Sequence, residues 1–181
     1  VNNININLRK GEVIGIAGLV GAGKTELCKS IFGYYSTNYD NYILNGKSVN
    51  ISSPSNAVRE GIALIPEERR KEGIFVRDNV YSNLSMPNLT KFLTRFKLVS
   101  SKKQLEFSSD VIDKLGIVTP SSKQKVALLS GGNQQKVAIG KWLSTESIVY
   151  IFDEPTKGVD IGAKNDIYKL VGELAREQKG I

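Results

Sequence analysis

Apolar and polar positions along this chain switch between two periods. Alternation over Asn3–Leu8 and a short apolar run over Glu12–Ala17 predict two strands, the second buried. The spacing turns helical from Thr25 to Phe32. Tyr42–Leu44 followed by Asn45-Gly46 predicts a hairpin, because Asn-Gly suits a two-residue turn with positive φ at both positions. Ser53-Pro54 opens a short helix with an N-cap serine and a proline in the first helical position, and Gly61 closes it. Ile62–Ile65 reads as a buried strand. Strand signals stop between Val76 and Val126, where Asp78–Met86 and Lys103–Leu115 predict helices and Thr90–Ser101 a loop or a partly exposed surface helix. A helix after Ser130 carries Val137, Ala138 and Leu143 inward. Ile148–Phe152, rich in β-branched and aromatic residues, predicts a strand buried on both faces. Ile167, Leu170, Val171 and Leu174 then share one face of a last helix. Strands alternating with helices in this order make an α/β fold.

Composition narrows the picture. At 181 residues the chain amounts to about one domain, and 40% hydrophobic residues can build its core. The longest apolar run, Ile148–Phe152, falls far short of the ~20 residues a membrane helix needs. The single cysteine, Cys28, excludes a disulfide framework, suits a reducing compartment and reads as a small packing residue. The net charge of +7 comes from scattered residues, densest at Arg69-Arg70-Lys71 and Lys102-Lys103. No aromatic platform is interleaved with them, which argues against nucleic acid and for a solvated surface or one near anionic head groups. The chain starts at Val1 and its one methionine is Met86, so the expectation is an excised or processed piece of a longer protein.

Four segments carry chemistry. Gly18-Leu-Val-Gly-Ala-Gly23-Lys24-Thr25 fits G-x-x-x-x-G-K-[ST] between a predicted strand and a predicted helix. Gly21 and Gly23 let successive N–H groups, with that of Ala22 between them, point at one phosphate chain. Lys24 suits the β- and γ-phosphates, and the Thr25 hydroxyl suits Mg²⁺. Leu129–Lys136 (LSGGNQQK) begins a helix at the N-cap Ser130, and Gly131 and Gly132 leave amides uncovered at its positive end, a place for an anion. Asp153 and Glu154 emerge at the C-terminal end of the Ile148–Phe152 strand, where α/β sheets place their chemistry. Asp153 suits the metal shell, and Glu154 a general base toward an attacking water. Lys157-Gly158-Val159-Asp160, after Pro155-Thr156, is by itself a turn before the last helix.

P-loop, LSGG signature, paired carboxylates and the following D-loop turn, in this order over nearly the whole chain, resemble the ATP-binding cassette family. NQQK after LSGG, DEPTKGVDIGAKNDIY over Asp153–Tyr168 and IPEERRKEGI over Ile65–Ile74 are similar to the second cassette of the fused two-cassette ATPases that energise bacterial import of simple sugars such as ribose, galactose and xylose. The resemblance implies a P-loop core of mostly parallel sheet flanked by helices, with an antiparallel β portion and an inserted helical subdomain. Residues 1–75 would hold the P-loop and hinge, 76–128 the helical subdomain, and 129–181 the signature helix, carboxylates, D-loop and following helix. A further strand and a switch residue are expected beyond Ile181. The chain has no histidine, and Val1–Asn7 has no aromatic residue to stack on adenine.

The resemblance also implies roles. ATP with Mg²⁺ would lie on Gly18, Gly21, Ala22, Gly23, Lys24 and Thr25, with Thr25, Asp153 and Glu67 at the metal and Glu154 and Glu67 near the water. Glu67 stands where many cassettes carry a hinge glutamine; its alternative is a surface acid paired with Arg69 or Arg70. Ser130, Gly131, Gly132 and Asp160 would serve the nucleotide of a second cassette. The implied partners are that cassette, transmembrane permease subunits and, indirectly, a sugar-binding protein, with no nucleic acid. The implied place is the cytoplasmic face of the cell membrane, and little ATPase activity is expected of this piece alone. The alternatives are a non-hydrolytic cassette that binds ATP and gates its twin, and a soluble cassette acting on DNA or ribosomes. The second would need a long insertion, for which the spacing from Lys24 to Ser130 leaves no room.

Overall fold

The computed structural model describes residues 3–181. Its first helix, α1 (Lys24–Ile31), starts from Gly23, whose φ of 87° is the left-handed conformation that glycine adopts without strain. A hairpin follows, β1 (Ile43–Leu44) against β2 (Lys47–Ser48), antiparallel. Its turn has positive φ at both Asn45 (50°) and Gly46 (74°), as the Asn-Gly pair predicts. Helix α2 (Pro54–Arg59) has Ser53 accepting from Asn56 N–H at its N-cap and Pro54 in its first turn. Gly61, at φ 84°, closes it.

Strand β3 (Ile62–Ile65) is buried at every position. It runs parallel to β4 (Val149–Phe152), with Ile62 opposite Val149 and Ile65 opposite Phe152. Asp153 N–H extends the ladder by donating to Ile65 O at 2.9 Å. On the other side of β4, Gly180 forms a parallel bridge to Val149. Ile181 then exchanges backbone bonds with the segment before the P-loop, Ile14 N–H to Ile181 O at 2.7 Å and Ile181 N–H to Glu12 O at 2.9 Å.

Three strand expectations need correction. Glu12–Ala17 is neither buried nor a laddered strand. Among the described residues its backbone partners are Ile181 and Arg9, and Val13 and Ile16 stay about half exposed (52% and 48%). An apolar run is buried only where neighbours cover it. Asn3–Leu8 lacks strand pairing for the same reason. β4 is only partly buried: Tyr150 is enclosed, while Val149, Ile151 and Phe152 are partly covered and pack against the core. The α/β class stands, with two parallel strands, an antiparallel hairpin and flanking helices.

The middle of the chain is helical, as its pattern predicts. It comprises α3 (Val80–Ser85), which continues into a 3₁₀ segment over Met86–Phe92, and α4 (Ser101–Leu115). Thr90–Ser101 is the end of that 3₁₀ segment plus an exposed turn, closed by a bridge between Leu93 and Val99. Helix α5 (Gly131–Gly140) passes through the centre with Val137, Ala138 and Ile139 fully buried. A Cβ on Gly140 would lie 2.8 Å from Leu115 and 2.9 Å from Val111, so only glycine lets α5 approach α4 this closely. Leu143 falls in a 3₁₀ turn after α5 and is partly buried. Helix α6 (Ile161–Arg176) buries Ala163, Ile167, Leu170 and Leu174, and Val171 lies at the edge of that stripe. Cys28 packs against the core, and burial pushes its thiol up to about 11, as befits a packing residue. Among the described residues no helix is long and apolar enough to cross a membrane.

Candidate functional site

The P-loop is shaped mainly by its own atoms. Gly21 (φ 81°) and Gly23 (φ 87°) bend the backbone, and Ala22 N–H donates to Leu19 O at 3.1 Å. Lys24 curls back and donates from Nζ to Gly18 O (2.8 Å) and Leu19 O (3.3 Å), which closes the loop into a ring. The same ammonium lies 3.8 Å from Glu154 Oε1. Leu19 and Val20 face solvent.

Carboxylates converge on this ring from both parallel strands. Asp153, just past β4, is 3% exposed. Burial raises its carboxyl above the ordinary range, and the neighbouring Glu67 and Glu154 charges add to that; a hydrogen bond from Thr25 opposes it. No lysine or arginine forms an ion pair with Asp153 among the described residues. Glu67, past β3, accepts from the Thr25 hydroxyl at 3.3 Å. Its other oxygen holds Lys157 Nζ, and that hydrogen bond is the main reason its carboxyl lies below the ordinary range. Glu154 is half exposed at its side chain and has φ 48°. A left-handed glutamate costs about 1 kcal/mol or more and persists where surroundings enforce it, typically at functional sites.

This donor set suits Mg²⁺. Among the described residues no three His, Cys, Asp or Glu side chains cluster closely enough to hold a metal unaided. Mg²⁺ ordinarily takes one or two carboxylates and leaves its remaining positions to water and substrate phosphates. A buried carboxylate without a cationic partner, a hydroxyl and a second carboxylate meet that need.

The signature opens the helix α5. Ser130 caps α5, accepting from Asn133 N–H (3.4 Å) and from Asn133 Nδ2 (3.0 Å). Asp160 caps α6 by accepting from Ala163 N–H at 2.9 Å, the chief reason its carboxyl titrates low. The two helix starts adjoin: a Cβ on Gly132 would lie 2.7 Å from the Ala163 Cβ and 3.2 Å from Asp160 Oδ2. A shallow cleft of about 240 Å³ is lined there by Ser130, Gly132, Asn133, Lys136, Asp160 and Gly162, among others.

NQQK proves to be the stitching behind the signature. Asn133 Oδ1 accepts from Val118 N–H at 2.8 Å. Gln134 donates to Val126 O (3.2 Å) and Leu129 O (3.0 Å). Lys136 donates to Gly116 O at 2.9 Å and pairs with Asp166 at 2.7 Å, joining α4, α5 and α6.

Sequence reasoning missed two residues. Arg69 and Arg70 are not the partners of Glu67; Lys157 is. Arg69 instead donates to Lys157 O (2.8 Å) and Gly158 O (3.2 Å), and its buried Nε has no partner. It opens a π-helical turn, Arg69–Gly73, closed by Ile74 N–H on Arg69 O at 2.8 Å. A basic pair within EERRKEG looks solvated in sequence, and nothing local marks carbonyls far along the chain as its target.

A family model described as ABC transporter matches residues 1–157. The chain belongs to the ABC transporter family. Curated relatives of this ABC chain include the ribose import ATP-binding protein RbsA of Clostridium tetani, 42% identical over 181 residues (100% of this chain, 36% of the relative). The galactose/methyl galactoside import ATP-binding protein MglA of Fusobacterium nucleatum is 44% identical over 181 residues (100% and 36%). The xylose import ATP-binding protein XylG of Thermoanaerobacter pseudethanolicus is 43% identical over 175 residues (96% and 34%). The chain thus spans about a third of the length of these relatives. Among solved structures, a nucleotide-free ATP-binding cassette from an ABC transporter superposes with TM-score 0.76 at 22% identity, covering 96% of this chain and 70% of that one. A dimeric cassette in a post-hydrolysis state bound to ADP and Pi superposes with TM-score 0.79 at 19% identity, covering 97% and 74%. These likenesses establish the ABC cassette fold.

Proposed function

We propose that this chain is an ATP-binding and hydrolysing domain that energises import of a simple sugar through an ABC transporter, and that it corresponds to the second cassette of a two-cassette ATPase. The observation that carries the reading is the convergence of the Thr25 hydroxyl, buried Asp153, Glu67 and Glu154 on the P-loop ring. The names of the relatives supply the sugar.

ATP is the substrate. Gly18, Gly21, Ala22 and Gly23 present backbone amides to its phosphates, and Lys24 leaves the loop carbonyls for the β- and γ-phosphates. Thr25, Asp153 and Glu67 would hold Mg²⁺, which when bound would supply positive charge against the phosphoryl oxygens. Glu154 accepts a proton from the attacking water. Ser130, Gly131 and Gly132, beside Asp160, face the nucleotide of a second cassette. The hinge over Glu67–Gly73 conveys closure to permease subunits, which receive sugar from a binding protein. Within the domain, residues 1–75 carry the P-loop and hinge, 76–128 the helical subdomain, and 129–181 the signature, carboxylates and D-loop. The proposed place is the cytoplasmic face of the membrane, and no nucleic acid takes part.

The decisive experiment is single-site turnover of Glu154→Gln in the assembled transporter. The substitution removes a general base, so ATP remains bound and turnover at this site falls by about 10²-fold or more. Turnover equal to wild type would assign hydrolysis to the other cassette and make this one a binding partner that gates it.

A further inference from the structure

Between the P-loop and the signature, an unassigned set of contacts joins the hinge to the D-loop turn. Lys157 Nζ pairs with Glu67 and lies 3.7 Å from Glu68 Oε1. Arg69 holds the same turn by its backbone, at Lys157 O (2.8 Å) and Gly158 O (3.2 Å). Both oxygens of Glu67 are engaged, one by the ammonium from the turn and one by the Thr25 hydroxyl at the start of α1.

The two cations that tie the turn to the hinge differ in what it costs to move them. Arg69 makes two backbone bonds, packs beside Gly131 and has a buried Nε, so displacing it breaks a fixed arrangement. The Lys157 side chain is 54% exposed, and water can take over its solvation. Exposed pairs of this kind are weak. An ammonium on a carboxylate oxygen makes that oxygen a poorer ligand for a divalent cation, because the two cations compete for its electron density and repel each other.

We propose that Lys157 is the resident counter-cation of Glu67, and that it yields this place when Glu67 turns to a Mg²⁺-nucleotide, which loosens the D-loop turn from the hinge. Lys157 is thereby a positioning residue: it sets how far Glu67 must be released before Glu67 can serve the metal. Arg69 keeps the turn's backbone attached, so the loosening is confined to the side-chain grip. The proposal rests on the reading of Glu67 as a metal-side carboxylate.

The test is calorimetric titration of ATP into the intact ATP-binding protein, with and without Mg²⁺, for wild type, Lys157→Ala, Lys157→Arg and Glu67→Gln. Lys157→Ala is expected to tighten Mg²⁺-ATP binding about two- to five-fold, the range a weak exposed pair can supply, with no gain in metal-free affinity. Lys157→Arg should keep the wild-type ratio, and Glu67→Gln should diminish the advantage that Mg²⁺ confers. Amide exchange over 157–160 should be faster in Lys157→Ala, and wild type should approach that rate when Mg²⁺-ATP is added. If Lys157→Ala matches wild type in Mg²⁺ dependence while Glu67→Gln lowers it, the counter-cation role is wrong and the metal-side reading stands. If Glu67→Gln also matches wild type, the metal-side reading fails and the counter-cation role with it.

Discussion

The P-loop and the signature use the same device, glycine-freed amides at a helix start, but the molecule supports them in opposite ways. The P-loop hangs on an extended segment with exposed Val13, Ile16, Leu19 and Val20, and keeps its shape through Lys24 and its own carbonyls. The signature stands on α5, whose Val137, Ala138 and Ile139 are fully buried and whose polar residues tie it to α4 and α6. One helix start is thus a local conformation and the other part of a packed surface. The first should lose function without losing the fold, and the second should lose both together.

The largest effect tests the local side. Lys24→Ala should abolish nucleotide binding and leave thermal stability near wild type, because the hydrogen bonds of Lys24 go only to carbonyls of its own loop. Wild-type ATP affinity by calorimetry, or collapse of the melting transition, would break the contrast. Gly132→Ala tests the packed side: its methyl would meet Ala163 at 2.7 Å. Overpacking of this kind costs about 1–3 kcal/mol, seen as a lower Tm. Gly21→Ala is the control, since nothing lies within 4 Å and only its φ of 81° resists a side chain. It should weaken ATP binding more than it lowers Tm.

A pH experiment sharpens the packed side further. Lys141, in the turn after α5, donates to Gly73 O and lies 5.1 Å from the Trp142 ring centroid. Burial depresses its ammonium from 10.5 to about 8. The unfolded chain therefore binds more protons above pH 8, and stability should rise with pH there. Cys28, raised from 9.0 to about 11, acts in the opposite sense above pH 9. Denaturant unfolding between pH 8 and 9 should show a rise of at most about 1 kcal/mol, absent in Lys141→Met. An identical profile in the two proteins would show that the buried end of α5 is not what titrates. The smallest effect is expected from Ser130→Ala. It removes a cap and lowers stability by about 0.5–1 kcal/mol, and circular dichroism melting would detect it.

Much of the molecule was legible in local sequence. The Asn45-Gly46 turn, the Ser53-Pro54 start and Gly61 stop of α2, the Ser130 cap and the paired carboxylates after β4 follow from backbone preferences that act within a few residues. The strand expectations failed where burial depended on company: Glu12–Ala17 has the right residues, yet only Ile181 and Arg9 meet its backbone among the described residues. The site was legible as a set of residue types but not as a set of partners. Lys157 reads as a turn residue and Arg69 as a solvated one until the fold brings them together.

By itself, then, the sequence determined which groups are present and which local shapes they favour: amides at Gly18–Thr25 and Ser130–Gly132, a hydroxyl at Thr25, carboxylates at Asp153, Glu154 and Glu67. Those rules have a range of a few residues, because caps, turns and periodic faces involve near neighbours. Only the tertiary structure decided who answers whom. Glu67 and Lys157 meet across 90 positions because β3 and β4 run parallel side by side and deliver their C-terminal ends to one place. The charge of Glu67, the burial of Asp153 and the support of the signature are properties of that meeting, and no local pattern contains them.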